Sequence, residues 1–295
     1  MKLLALLLLL GVVYPSLNEV VQSFKAKCPE FFVKNQHNHE VTPPTLLKGN
    51  QFKCICQRWK GKYRYATLYD IKRRIPIYSA YKFEGKKDIP RDGYWKTEPQ
   101  LDECLKPENR EMREMRPAQE ETLPFKNQAR NNDYPRAGAY TRGHLFPNSY
   151  AADADQAEST FTLTNAAPQM QDSNEAWARE VEELMRVEIE KNCMVNETFP
   201  AYIVTGVVPG DVWVAIERER RTITQGVNIP SHYWSAYLCI NSASSRLSRA
   251  FLAQQIYEIK PNRKTKFKKS NMTVADLESK LTGLFKLLNQ TFRVF

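Results

Sequence analysis

Apolar and polar positions follow different periods in different parts of the chain, and each period predicts an element. Residues 3–13 form an unbroken apolar run behind Met1 and Lys2, closed by Tyr14, Pro15 and Ser16. Residues 17–60 are polar and interrupted, with Pro43-Pro44 and a His37-Asn-His39 pair, and read as loop-rich. Residues 66–70 and 75–83 are rich in β-branched and aromatic side chains, and the polar Lys72-Arg73-Arg74 between them predicts a hairpin. Residues 105–135 are charged and amide-rich, as a long surface loop would be. Phe161-Thr-Leu163-Thr164 alternates and reads as a strand. A helix is expected next. Asp172 with Glu175 resembles a capping box, and Trp177, Val181, Leu184 and Glu188 recur at helical spacing with Met185 alongside. Residues 202–208 are an apolar run stopped by Pro209-Gly210, a buried strand; residues 233–240 read as another. Val274, Leu277, Leu281, Leu284 and Leu288 make a C-terminal amphipathic helix. No internal repeat is present. The succession predicts an α+β fold, with mixed or antiparallel sheets packed against helices.

Composition narrows the class. At 295 residues and 42% hydrophobic, the chain can bury a core as one large domain or two small ones. Eleven glycines and 17 prolines exclude a collagenous or low-complexity chain. The first apolar run is too short for a bilayer, which takes about 20 residues. Its charge–apolar–small order predicts a cleaved secretory signal over residues 1–16. Asn196-Glu-Thr198, Asn271-Met-Thr273 and Asn289-Gln-Thr291 are N-glycosylation sequons that fit a secreted, extracellular protein. Six cysteines lie beyond the signal: Cys28, Cys54, Cys56, Cys104, Cys193 and Cys239. Three disulfides are the simplest expectation in an oxidising compartment, and sequence alone does not choose their pairing. Cys54 and Cys56 are not expected to pair with each other, on the ground that adjacent strand side chains point to opposite faces. No CxxC pair exists, which disfavours zinc. A formal charge of +10 suits a polyanion partner. Residues 260–269 hold six cations and no acid, and either grip phosphates or form a solvated linker before the last helix.

The stretch that carries chemistry is Tyr140-Thr-Arg-Gly-His144-Leu, then Thr164-Asn-Ala-Ala-Pro-Gln169, then Asn174 and Trp177. There is no GxSxG nucleophile elbow and no Gly-rich P-loop. Of four histidines, only His144 sits in an Arg-Gly-His context at the end of a predicted strand. A neutral imidazole there can take a proton from water. Asn174 falls in the first helical turn, where its amide oxygen can bind a hard cation such as Mg²⁺ that keeps several waters. Glu182 lies about 80° further round an ideal helix, so it can reach the same ion's water; Glu183 points roughly opposite and Glu180 about 120° away. Each has a plain alternative: a satisfied structural histidine, a helix-start residue bonded to backbone, a solvated helix face. Asn165 and Gln169 read as turn-fixing, Trp177 as core, and His232 as structural.

Together these segments resemble the ββα-metal nucleases of the DNA/RNA non-specific endonuclease family, and within it the endonuclease domain-containing 1-like subgroup. The family pattern Asp-Arg-Gly-His, Asn-x-x-Pro-Gln, Asn, Trp and Glu is matched by Thr141-Arg-Gly-His144, Asn165-Ala-Ala-Pro-Gln169, Asn174, Trp177 and Glu182. Subgroup likeness extends to Cys54-Ile-Cys56-Gln, Tyr65-Ala-Thr-Leu-Tyr69-Asp, Val204-Thr-Gly-Val-Val-Pro209 and Ile229-Pro-Ser-His-Tyr-Trp234. The resemblance implies a nuclease domain over residues 17–259, with residues 260–295 as a basic segment and helix. It implies His144 as general base, Asn174 as direct ligand of one Mg²⁺ (Mn²⁺ as the alternative), and Arg142 and Glu182 in the catalytic set. Arg142 is expected to brace the motif. The substrate implied is DNA, with RNA as a second candidate. Two departures matter. Thr141 stands where the family has Asp, which leaves a fold-retaining, inactive nucleic-acid-binding protein as the rival. Trp177 follows Asn174 by three rather than four residues. The family's transition-state arginine has only Arg91, four residues before Trp95, as a candidate.

Overall fold

Apolar runs and alternating segments assemble around one antiparallel sheet. The computed structural model describes residues 19–35, 40–85, 87, 89, 93–102, 116–117, 125–134, 140–195, 201–240, 245–255, 268–287 and 290–295. Residues 1–16, His37, His39, Arg91, Cys104, Asn196, Asn289, residues 260–267 and most of the 105–135 loop lie outside the described residues.

In chain order the strands are β1 (Val20–Val21), β2 (Val33–Lys34), β3 (Val41–Thr42), β4 (Phe52–Trp59), β5 (Lys62–Asp70), β6 (Ile75–Phe83), β7 (Lys96–Thr97), β8 (Arg116–Pro117), β9 (Tyr140–His144) and β10 (Ala166–Met170). They continue as β11 (Ala201–Val208), β12 (Val212–Arg218), β13 (Arg221–Ile229), β14 (His232–Ile240), β15 (Arg246–Gln254) and β16 (Lys269–Met272). The α-helices are α1 (Phe24–Lys27), α2 (Ala154–Thr160), α3 (Gln171–Trp177), α4 (Glu183–Asn192) and α5 (Val274–Leu284). Eight strands join in the order β1-β4-β5-β6-β11-β14-β15-β16, and every neighbour is antiparallel. The α+β expectation holds, and the predicted hairpin is β5–β6.

Both faces of the sheet are covered, which is why its central strands read as apolar runs and not as alternations. Ile203 and Val207 of β11 enter one core with Tyr81, Phe146, Trp177 and Val181. Val204 and Val208 enter the other with Tyr78, Trp234, Leu277 and Leu281. The first core carries the β9–β10 ribbon and the α3–α4 helix; the second carries α5 and Phe292 near the C-terminus. The basic segment's last residue, Lys269, enters the sheet too, because β16 pairs with β15.

Several local expectations are corrected. Residues 52–59 are not loop but an eight-residue strand of the main sheet. Residues 163–165 form a turn of 3₁₀ helix, and the strand starts at Ala166. The turn is enforced by Asn165, whose buried carboxamide bonds backbone that a ladder would otherwise use. The described end of the 105–135 segment is largely buried, with Phe125, Gln128, Ala129 and Tyr134 inside. Asp102 accepts hydrogen bonds from the Lys126 and Asn127 amides and from Gln128 Nε2, and so pulls that segment in. The helix begins at Gln171 with Met170 at its N-cap and no side-chain cap, so the Asp172–Glu175 box does not form.

Two disulfides are present among the described residues, Cys28–Cys56 and Cys193–Cys239. The second ties the end of α4 to β14. Cys54 carries a thiol, and burial pushes its pKa up to about 11. Cys54 does not pair with Cys56, but the reason differs from the one expected. Residues two apart on a strand share a face, and Cys56 is held by Cys28 instead.

Candidate active site

The site grows from the β9–β10 ribbon. Its register sets His144 opposite Ala166, Gly143 opposite Ala167 and Thr141 opposite Gln169. Asn165 anchors the ribbon's closed end. Its Oδ1 accepts from Ser79 Oγ at 2.9 Å and the Phe146 amide at 3.0 Å. Its Nδ2 donates to the carbonyls of Phe146 and Thr160, both at 3.0 Å. The Tyr233 hydroxyl donates to Ala167 O, and Gln255 Nε2 to Pro168 O, which fastens the ribbon to the main sheet. Gly143 is required by space: a Cβ there would lie 2.4 Å from Gln169 Oε1 and 3.1 Å from the Tyr233 hydroxyl.

α3 follows β10 without a linker, so Asn174 is delivered to the ribbon's side. The Thr141 hydroxyl donates to Gln169 O at 2.9 Å. Its one proton is thereby committed, so it acts as acceptor for Asn174 Nδ2, at 3.1 Å. This fixes the carboxamide with nitrogen toward Thr141 and Oδ1 turned away from it. Threonine at this position therefore orients Asn174 without contributing charge.

Between α3 and α4 the helix is π-helical over Ala178–Glu182. On an ideal α-helix Glu182 would sit about 80° from Asn174. A π-turn takes one more residue per turn, which returns roughly 100° and leaves the two about 20° apart. His144, Asn174 and Glu182 accordingly line one cavity of about 310 Å³, together with Pro147, Asn148, Ser149, Glu175 and Ala178. No lysine or arginine is among the described residues that line it.

His144 is framed by aromatic rings. Phe161 meets it edge-on at 4.9 Å between centroids, and Trp95 lies at 5.1 Å. Arg142, next but one on the same face of the strand, packs against the same Trp95 ring. Its guanidinium carbon lies 5.2 Å from the Trp95 ring and 5.2 Å from the Tyr134 ring. Its Nη2 donates to Asn131 O at 2.8 Å and Asn131 Oδ1 at 2.7 Å. That pattern is a brace, and Arg142 is not among the residues lining the cavity. The Asn131 turn is itself pinned, since Asp133 pairs with Arg218 at 2.6 Å with both side chains nearly buried. Lys96 fixes the Trp95 segment from below, donating to Tyr94 O and Glu158 O; burial brings its pKa down to about 8.

The contacts of Trp95 and Phe161 with His144, the Asp133–Arg218 pair and the lining role of Glu175 do not show in the sequence. None belongs to a local motif, and spacing carries no signal of contacts made across the fold. Trp177 is core, at 1% exposure. His232 bonds Ser231 Oγ through Nδ1 at the start of β14, away from the cavity.

The sequence profile of the DNA/RNA non-specific endonuclease family matches residues 49–293. The endonuclease domain-containing 1 protein of Homo sapiens is 32% identical over 213 residues, covering 72% of this chain and 39% of its own length. The Mus musculus protein of the same name is 30% identical over 234 residues, covering 79% of this chain and 43% of its own. The chain thus spans less than half the length of these relatives. Among solved structures, the EndoG/EndoGI complex, described as showing the mechanism of EndoG inhibition, gives a TM-score of 0.46 at 15% identity, over 76% of this chain and 83% of that one.

Proposed function

This chain belongs to the DNA/RNA non-specific endonuclease family, and from that premise we propose that it hydrolyses nucleic-acid phosphodiesters at the cavity of His144, Asn174 and Glu182. The observation that carries the reading is their shared cavity: a proton acceptor, an oriented carboxamide oxygen and a carboxylate meet there. The donor set suits a hard divalent cation. It offers neutral and anionic oxygens and no competing cationic side chain among the described lining residues. Among the described residues no three His, Cys, Asp or Glu side chains converge to hold a metal ion, which suits an ion held by few protein oxygens and several waters. Asn174 would hold Mg²⁺, or Mn²⁺ in its place, directly, and Glu182 would hold the ion's water from the same cavity. When bound, the ion stabilises the negative charge that develops on the phosphate.

His144 takes a proton from the attacking water. The water oxygen bonds phosphorus in line with the 3′ oxygen, the P–O3′ bond breaks, and the 3′ oxygen gains a proton from solvent. The ends are 5′-phosphate and 3′-hydroxyl. Trp95 and Phe161 restrict the imidazole's rotation, and Arg142 holds the ribbon that presents it. The substrate is DNA, with RNA open to the same chemistry, since phosphate contacts carry no base information. The protein is secreted in this reading, which two disulfides support, and its sequons would then carry glycan.

Thr141 favours one rival: a secreted binder of nucleic acid that keeps the fold without turnover. Plasmid digestion separates them. Cutting in Mg²⁺ that stops with EDTA and falls by about 10²- to 10⁴-fold in His144→Ala supports the enzyme. Salt-sensitive DNA binding with no cutting in any divalent metal overturns it.

A further inference from the structure

A second cavity, of about 400 Å³, lies against the opposite core from His144. Nothing in the proposed hydrolysis uses it. Its walls are the end of α5, the turn after β11 and the ends of β4 and β5. Apolar lining comes from Leu47, Phe52, Ile77, Val208, Leu284 and Phe285. Lys48, Arg73 and Lys286 stand around the same space.

Two of the three cations there, Lys48 and Lys286, are not balanced by neighbours among the described residues. Asp70 lines the cavity, but its carboxylate is satisfied by the amides of Lys72 and Arg73 and by Arg73 Nη1 at 2.9 Å. The Arg73 side chain is 38% exposed, so its guanidinium reaches the cavity as well as Asp70. Lys48 and Lys286 are exposed, and neither forms an ion pair among the described residues. Lys286 has a φ of +54°, at the left-handed position where a helix ends and glycine is usual. Asp211 is the one further acid at the rim among the described residues.

We propose that this cavity binds a small amphiphilic anion, with a carboxylate or phosphate monoester head on an apolar body. The head sits between the Arg73 guanidinium, Lys48 and Lys286. The body fills the space lined by Phe52, Ile77 and Leu284. The volume falls in the range of small-molecule sites, about 300–1,000 Å³. Charge complementarity selects an anion over a neutral lipid, and the apolar lining selects an amphiphile over a free inorganic ion.

Calorimetric titration of the intact chain with decanoate, decyl phosphate, decanamide and adenosine monophosphate tests this. Saturable one-to-one binding of decanoate or decyl phosphate is expected, about tenfold tighter than the uncharged amide. Whichever acid binds more tightly identifies the head group. The Lys48→Glu/Lys286→Glu variant changes two exposed side chains and should weaken the acid about tenfold while leaving the amide unchanged. Leu284→Trp, which fills the cavity, should abolish both. Equal affinity for acid and amide, no saturable binding below the micellar concentration, or tighter binding of adenosine monophosphate than of either acid overturns the proposal. The readout is binding and does not depend on nuclease activity.

Discussion

Asn165 stands just before β10 and Asn174 in the first turn of α3 after it, and the molecule uses them in opposite ways. Asn165 is fully buried and makes four hydrogen bonds, to Ser79, twice to Phe146 and to Thr160. Asn174 is half-buried at a cavity wall, where Thr141 takes its nitrogen side. Identical side chains thus mark a closed region and an open one. In the first the amide replaces a stretch of backbone ladder. In the second, one bond orients it and its oxygen is turned from the partner that holds it. An amide proposed to bind a ligand differs from a scaffolding one in what its surroundings leave open.

The contrast breaks most sharply by cutting each asparagine to alanine. Asn165→Ala leaves two backbone carbonyls and an amide without this partner in the core, while Ser79 keeps its bond to Thr67. It should cost more than about 3 kcal/mol of stability. Asn174→Ala should leave the melting temperature nearly unchanged and lower cleavage by roughly a hundredfold. Chemical denaturation and plasmid nicking, run on both variants, measure the two effects. Equal losses in both would show that Asn174 is scaffold like its neighbour.

A second cut tests how far the closed region extends. Asp133→Ala leaves Arg218 buried without its partner and should cost about 3–5 kcal/mol. It also loosens the turn whose Asn131 holds Arg142. Turnover should therefore fall with substrate affinity unchanged. The double variant Asp133→Leu/Arg218→Met should recover stability, because a packed apolar pair commonly replaces a buried ion pair at no loss. Recovery of turnover along with it would mean that Arg142 needs only a firm turn and not this particular pair.

Much of this arrangement was legible in the residues, for identifiable reasons. Hairpin β5–β6, strands β11 and β14 and helix α5 follow from local pattern, because their apolar residues face cores directly above and below. His144, Asn174 and Glu182 came from a motif, and the structure brings them to one cavity. Strand β4 was lost because its Lys53, Gln57 and Arg58 break the alternation; Gln57 is nevertheless fully buried, donating to Thr164 Oγ1. The α3 start was misread because the capping signal at Asp172 yields to β10, which enters the helix directly. The position of Glu182 was misjudged because no sequence rule marks a π-turn.

Thr141 sharpens the comparison on the open side. Thr141→Val removes the acceptor that orients Asn174, and should weaken Mg²⁺ binding by about tenfold. Thr141→Asp keeps an acceptor for Asn174 Nδ2 and adds charge, so metal affinity or activity should rise. It also loses the donor to Gln169 O, at a stability cost of about 1 kcal/mol. Metal titration by calorimetry reads the affinity. Unchanged affinity in both variants would mean that Asn174 is oriented by the helix alone.

The smallest effect is a pH slope. Lys96 lies under the Trp95 segment with its ammonium bonded to Tyr94 O and Glu158 O, and burial lowers its pKa from 10.5 to about 8. A depressed lysine pKa means that the unfolded chain holds more protons than the folded one between those two values. Stability then rises with pH across that window, and the penalty of the buried charge is fully present below about pH 8. The core tyrosines act in the opposite sense, since burial raises the pKa of Tyr65, Tyr69, Tyr78 and Tyr81 above 10. Their contribution enters only at the alkaline end, where unfolded tyrosines ionise. Subtracting the Lys96→Met curve from wild type cancels that common part. The difference should slope upward from about pH 8, and a flat difference would show that Lys96 keeps its proton through the carbonyls that surround it.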